Sequence, residues 1–211
     1  MALNNIWVFA QASNGAPTSA TLELLTKARS LSSNVVAIIG GDGASAGVLG
    51  EYGATKVYAI NHGSTLPGVA IASALKSVID GGETPDLIMF PQNYEGRDVM
   101  ARLSVKIDKT VITNNVDISD SGDGVTVVTP IFGGNTLVST TFTGAGPYLA
   151  AFRPKSFAAE SAGGAAAAVT AVAVPVTKRI ALRNIGGHPR FNYHGRQMLH
   201  HEIYFLEFQL F

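Results

Sequence analysis

The sequence predicts an α/β fold: a mostly parallel sheet flanked by helices, with antiparallel hairpin strands at one edge. Three observations carry this. Five short apolar runs are rich in β-branched or aromatic residues and nearly unbroken, as strands covered on both faces are. Helical patterns with short links stand between these runs, which calls for right-handed crossovers in a parallel sheet. Beyond Ile118 the spacing shortens to strand, turn, strand, the grammar of hairpins.

The elements follow in chain order. Residues 6–10 (IWVFA) form the first strand. Residues 17–31 form a helix with Leu24, Leu25, Ala28 and Leu31 on one face. Thr18 or Ser19 is placed to cap it, and Glu23 precedes Lys27 by the four residues of a supporting ion pair. Residues 35–39 (VVAII) and 56–60 (KVYAI) are strands. Residues 66–80 form a second helix, burying Ile71, Leu75, Val78 and Ile79 and ending at Gly81-Gly82. A strand at 86–90 (DLIMF) leads to a third helix from about Gly96, with Val99, Leu103 and Ile107 at steps of four, and then to a strand at 110–113 (TVIT). The turn cluster SDSGDG (119–124) opens the second pattern: VTVVT, TLVSTTF and YLAAF read as antiparallel strands extending one edge of the sheet. VTAVAVP (169–175) is a last strand, stopped by Pro175.

Composition excludes several classes. Fifteen basic residues balance fifteen acidic ones, which leaves no electrostatic footprint for nucleic acid and no polybasic membrane patch. The longest apolar run, residues 162–176, is too short and too rich in Gly and Ala to span a bilayer, so a soluble protein is expected. The start MALNNIWVFAQ has no cationic lead-in and reads as no secretory signal. Without cysteine there is no disulfide framework and no thiolate chemistry. The character changes near Val176. Residues 177–211 hold five basic residues, two acidic ones and four of the five histidines, a formal +3 against −3 for the remainder.

Motifs for chemistry are sparse. Gly41-Asp42-Gly43-Ala44-Ser45-Ala46 fits G-x-G-x-x-A after a strand, but Asn61 and His62 stand where a dinucleotide site needs an acid. A glycine turn before a helix is the simpler reading. Asn93-Tyr94-Glu95-Gly96-Arg97-Asp98 opens a helix just past the fourth strand, where open α/β sheets present ligand groups. Arg97 there could clasp an anion or join a salt bridge, and Asp98 is read as a first-turn acid suited to the helix dipole. His200-His201-Glu202 lacks the cysteine pair of zinc deaminases and reads as part of a solvated segment. Neither a nucleophile elbow nor a metal set is present, the inventory of a binding scaffold rather than an enzyme.

Three stretches carry a resemblance: NNIWVFAQ at the start, YEGRDVMARLSVKI after LIMFP, and PIFGGNTLVSTTFTGAGPYLAAFRPKSF, residues 130–157. In these, and over residues 1 to about 175, the chain resembles the alpha subunit of electron transfer flavoprotein. The resemblance implies a fold like the adenine nucleotide alpha-hydrolase group. It also implies an N-terminal domain that packs on a beta subunit, with FAD held by a separate C-terminal domain. The implied heterodimer carries electrons from acyl-CoA and other dehydrogenases to a quinone oxidoreductase. Gly133, Gly134 and Asn135 would hold a tight turn, and Arg153 and Lys155 would contribute polar contacts near the subunit boundary. Gly96, Arg97 and Asp98 complete the interface candidates. The alternative is that these residues only close an edge hairpin.

After VAVP the family's flavin-domain segment Ser-Gly-Gly-Arg-Gly is absent, and 35 residues of a different character stand there. The expectation is a truncated alpha subunit: an electron-carrier part and not an enzyme, with a poorly ordered non-family tail at 176–211 and no FAD bound by the chain alone. A cytoplasmic location follows if it is bacterial, or the mitochondrial matrix for eukaryotic members. Two other readings stay open, an adenine-nucleotide-binding or hydrolysing enzyme of the same fold group and a small nucleotide sensor. Against the enzyme, Gln11-Ala12-Ser13-Asn14-Gly15 stands where a pyrophosphate-gripping loop would follow the first strand.

Overall fold

The computed structural model describes residues 3–63, 66–121 and 124–175. The expectations for the tail, residues 176–211, lie outside these described residues.

The chain begins with β1 (Ile6–Ala10), a miniature hairpin of β2 (Ala12–Ser13) and β3 (Ala16–Pro17), and α1 (Ser19–Leu31). There follow β4 (Val35–Gly40), α2 (Ala46–Glu51), β5 (Lys56–Ile60), α3 (Pro67–Asp80), β6 (Leu87–Pro91) and α4 (Tyr94–Ile107). Next come β7 (Val111–Asn115), β8 (Asp117–Asp120), β9 (Val125–Ile131), β10 (Thr136–Thr141), β11 (Tyr148–Phe152) and β12 (Ala168–Val172).

Seven strands form the central sheet in the order β12-β5-β4-β1-β6-β11-β7, and every pairing is parallel. Both faces of the inner strands β1, β4, β5, β6 and β11 are buried, which explains their unbroken apolar runs, while the edge strand β12 is largely exposed. Ile6, Val8 and Ala10 face one core with Leu24, Leu25 and Ala28 of α1 and Leu49 of α2. Trp7 and Phe9 face the other, with Ile71 and Leu75 of α3 and Val99 and Leu103 of α4. No helix of the described residues is long and apolar enough to cross a membrane.

The α/β class is borne out, and several details differ from the sequence reading. YLAAF is not a hairpin strand: β11 lies inside the parallel sheet between β6 and β7. The true hairpin strands form a sheet of their own, ordered β10-β9-β8, joined to the edge of the main sheet by the Val116 amide donating to the Val128 carbonyl at 2.8 Å. Thr18 caps α1, its hydroxyl accepting from the Thr21 amide. Glu23 and Lys27 do not pair. Glu23 is buried and accepts the Lys155 amide at 2.7 Å, while Lys27 reaches Asp117 at 2.9 Å. Tertiary partners override the local i,i+4 spacing, which supplies only a few tenths of a kcal/mol, about 0.2–0.5. Helix α4 starts at Tyr94, so Glu95 is its first-turn acid, and Asp98 instead pairs with Arg102 at 2.8 Å.

A strap, residues 153–167, returns from β11 to the opposite edge strand β12. It crosses the α1–α2 side, held by Arg29 on the Glu160 carbonyl (2.6 Å) and by the Ala162 amide on the Glu51 carbonyl (2.7 Å).

Candidate functional site

Two surfaces merit a functional reading: the carboxyl ends of the parallel strands, and the antiparallel sheet.

At the strand ends, a chain of amides orders the loops. Asn93 caps α4, its side-chain oxygen accepting the Gly96 amide at 2.9 Å. Its Nδ2 donates to Gln11 Oε1, and Gln11 Nε2 donates to Glu95 Oε2 at 2.8 Å. The loop after β1 becomes the β2–β3 hairpin because Asn14 and Gly15 both take positive φ (52° and 81°), the signature of a primed turn. Gly41-Asp42-Gly43 leads only to the six-residue α2, and Gly43 packs against Ala59 and Val169. That space is filled by chain.

Beside these loops, Arg153 stands exposed after β11 and donates from Nε to Asn114 Oδ1 at 2.6 Å. Asn114 takes φ +68° at an irregularity in the β7–β11 register, a position Asn tolerates better than most residues. Its neighbour Asn115 is fully buried and fully used. Nδ2 donates to the carbonyls of Ile112 (2.8 Å) and Ala151 (2.9 Å), and Oδ1 accepts Thr129 Oγ1 of β9 at 2.8 Å. Asn115 therefore stitches the antiparallel sheet to the parallel one.

Each candidate residue has a definite place. Gly96 is buried: a Cβ there would lie 2.2 Å from the Pro91 carbonyl, so this glycine lets α4 start close against β6. Arg97 is exposed and rests over the Tyr94 ring at 5.3 Å, with Nε donating to the Asn93 carbonyl. Gly133 and Gly134 take φ of +70° and +98° in the β9–β10 turn, closed by the Asn135 amide on the Phe132 carbonyl. Lys155, at φ +65°, is fixed through its backbone amide on Glu23, not through its charge. The structure ties Arg153 to the end of β7 through Asn114 and Asn115 and places Arg97 and Asp98 on α4.

The sequence reading did not single out Gln11, Glu95, Asn114, Asn115 or Phe132 as site residues, although Gln11 and Glu95 lie in stretches it weighed. The Asn-Asn pair closing TVITNN was the available signal for a strand end with left-handed backbone.

The antiparallel sheet is one-sided. Val125, Val127 and Ile118 alternate inward and join the α1-side core. Strand β10 is different: all six residues, TLVSTT, are exposed, with Leu137 63% and Val138 38% exposed on opposite faces. Just before it, Phe132 is 78% exposed at φ +50°. A bulky aromatic held at positive φ with its ring in solvent gains nothing for the fold alone.

The cavity at the strand ends does not suit a flavin dinucleotide. At about 230 Å³ it is smaller than the roughly 300 Å³ at which drug-sized sites begin. It carries the Glu95 carboxylate where a pyrophosphate needs donors, and the adjacent cap amide is already taken by Asn93. The other, about 360 Å³, lies between residues 108–112 and 141–148 with Thr110, Thr141 and Thr143 on its walls.

Comparison with known proteins identifies the family. The family described as Electron transfer flavoprotein domain matches residues 6–177. The electron transfer flavoprotein subunit alpha of Syntrophomonas wolfei is 26% identical over 168 residues, covering 77% of this chain and 52% of that protein. The chain spans about half the length of that curated relative.

Proposed function

The chain belongs to the electron transfer flavoprotein family, and from that premise we propose that residues 3–175 are the docking body of an alpha subunit, seated on a beta subunit through the antiparallel sheet. Membership of that family supports an electron-carrier role for the assembled protein. The observation that carries the docking reading is β10 with the turn before it: an uncharged six-residue strand hydrogen-bonded only to β9 among the described residues, with exposed Leu137 on it and exposed Phe132 just before it. An uncharged, unpaired edge of this kind invites another chain, and natural proteins cover or charge such edges unless they are used. Complete burial of Phe132 or Leu137 would contribute about 1.5–3 kcal/mol each.

On this reading the flavin is held outside residues 3–175. The electrons enter the assembled carrier from a dehydrogenase such as one acting on acyl-CoA and leave to a quinone oxidoreductase. What this body supplies is position, through Asn115, which fixes the docking sheet against the rigid parallel sheet.

The test is assembly. The purified chain mixed with its cognate beta subunit forms a one-to-one pair on light-scattering chromatography. The Phe132→Asp, Leu137→Asp double variant melts like the parent but loses affinity by about a hundredfold or more. A double variant that pairs undiminished, or a parent that does not pair at all, contradicts the reading.

A further inference from the structure

We propose that β10 pairs with β10 of a second copy of this chain, edge to edge and antiparallel, about a twofold axis at Ser139. The self-pair goes beyond the docking reading and does not depend on it: a chain that meets no beta subunit still carries this open edge.

The ladder to β9 decides which backbone groups of β10 are available. The Phe142 amide donates to the Val125 carbonyl at 2.9 Å, and Pro130, which has no N–H to offer, stands opposite Leu137. Backbone groups alternate in direction along an antiparallel strand. Thr136, Val138 and Thr140 therefore turn theirs toward β9, while Leu137, Ser139 and Thr141 turn theirs outward. No other strand of the described residues lies beyond that edge. A twofold axis at Ser139 sets Leu137 of each copy against Thr141 of the other, and Ser139 against its own counterpart. All the outward residues are then paired, in an isologous contact of about six hydrogen bonds.

The charge pattern singles out a second copy. At a twofold axis each side chain lies near its own counterpart, and like charges opposed across strands destabilise the pair. Residues 124–152 contain no Asp, Glu, Lys or Arg, although the chain holds 15 basic and 15 acidic residues. Lysine and proline are the usual guards of an exposed edge, and β10, TLVSTT, has neither. Antiparallel pairing also brings the Phe132 end of each copy to the Thr141 end of the other. There Phe132, 78% exposed in the single chain, comes beside the cavity of about 360 Å³ walled by Thr141, Phe142 and Pro147. The contact is small against the about 800 Å² per partner of a standard interface, so the pair is weak, forms at high micromolar concentration and yields to a tighter partner.

Sedimentation equilibrium of the full chain, without beta subunit, from about 1 µM to about 1 mM tests this. The parent passes from monomer to dimer across that range. Ser139→Pro removes an amide that the β9 ladder does not use, at a place where edge strands accept proline. It weakens the dimer by about tenfold or more with an unchanged circular dichroism spectrum. Ser139→Ala keeps the amide and dimerises like the parent. Should Ser139→Pro not fold, single cysteines decide in this cysteine-free chain. Ser139→Cys, about 5.5 Å from its counterpart between Cα atoms, cross-links under a thiol oxidant, while Thr136→Cys, about 20 Å from its own, does not. A parent that stays monomeric at every concentration, a Ser139→Pro dimer as tight as the parent's, or equal cross-linking from both positions overturns the proposal and leaves the docking reading to its own test.

Discussion

Gly50→Ala is a substitution whose sign depends wholly on the strap. In an open helix position Ala is better than Gly by about 0.8–1 kcal/mol. At Gly50 the new Cβ would stand 2.1 Å from the Ala165 carbonyl oxygen and 2.6 Å from the Ala167 amide nitrogen, both backbone atoms. Comfortable non-bonded contacts lie near 3.5–4.0 Å, so the strap must withdraw by roughly 1.5 Å. Withdrawal stretches three hydrogen bonds: Ala162 to Glu51 (2.7 Å), Ala167 to Ala46 (3.2 Å) and Ala168 to Thr55 (3.3 Å). At about 0.5–1.5 kcal/mol each, their loss outweighs the gain in helix propensity and leaves a net cost of about 2 kcal/mol. Gly47, three residues earlier in the same helix, has nothing within 4 Å of where a Cβ would stand and serves as the internal control. Urea denaturation should therefore show Gly50→Ala destabilised and Gly47→Ala neutral or stabilised, with faster amide exchange in β12 for the first only. A Gly50→Ala protein as stable as the parent, with β12 equally protected, would refute the reasoning.

Three further substitutions have definite expected outcomes. Gly68→Ala places a Cβ 1.8 Å from Asp98 Oδ2, a shorter distance still, yet the obstacle is the end of a side chain that can swing away; melting should change by less than about 1 kcal/mol. Asn115→Leu strands the Ile112 and Ala151 carbonyls and the Thr129 hydroxyl, and chemical denaturation should register a loss of about 3 kcal/mol or more; an unchanged midpoint would show that the stitch between the sheets is dispensable. At Asp117 burial pushes the carboxyl upward, but the hydrogen bonds from Lys27 and the Ile118 amide prevail and hold it below its ordinary value. A depressed carboxyl contributes stability that is present above its unfolded pKa, about 3.9, and is lost as pH falls through the lower folded value. The stability gap between the parent and Asp117→Asn should accordingly shrink on acidification below about pH 4, and a gap constant to about pH 2 would exclude the effect.

How far the sequence discloses this molecule depends on which residues set each feature. Strands β1, β4, β5 and β6 were legible because burial on both faces demands runs such as IWVFA and VVAII, and helices α1, α3 and α4 because one apolar stripe each meets the sheet. Strand β11 misled because only residues 142–147 separate it from β10, a gap that suits a hairpin, whereas the chain there leaves one sheet for another. The pairing of Glu23 with the Lys155 amide spans 132 positions and no local spacing encodes it. Of the site, the Gly133-Gly134-Asn135 turn was readable from residue type alone, since positive φ favours glycine. Phe132 and Asn115 were not readable, because what distinguishes them is exposure in one case and burial in the other, properties the fold assigns.

Hydrogen exchange of the full chain, with and without its cognate beta subunit, tests the docking claim most directly. Slowed exchange confined to residues 132–141 and their neighbours on β9, with β12 unaffected, is the expected result. Protection that spares β10 and appears instead on β12 or the outer face of α4 would contradict it.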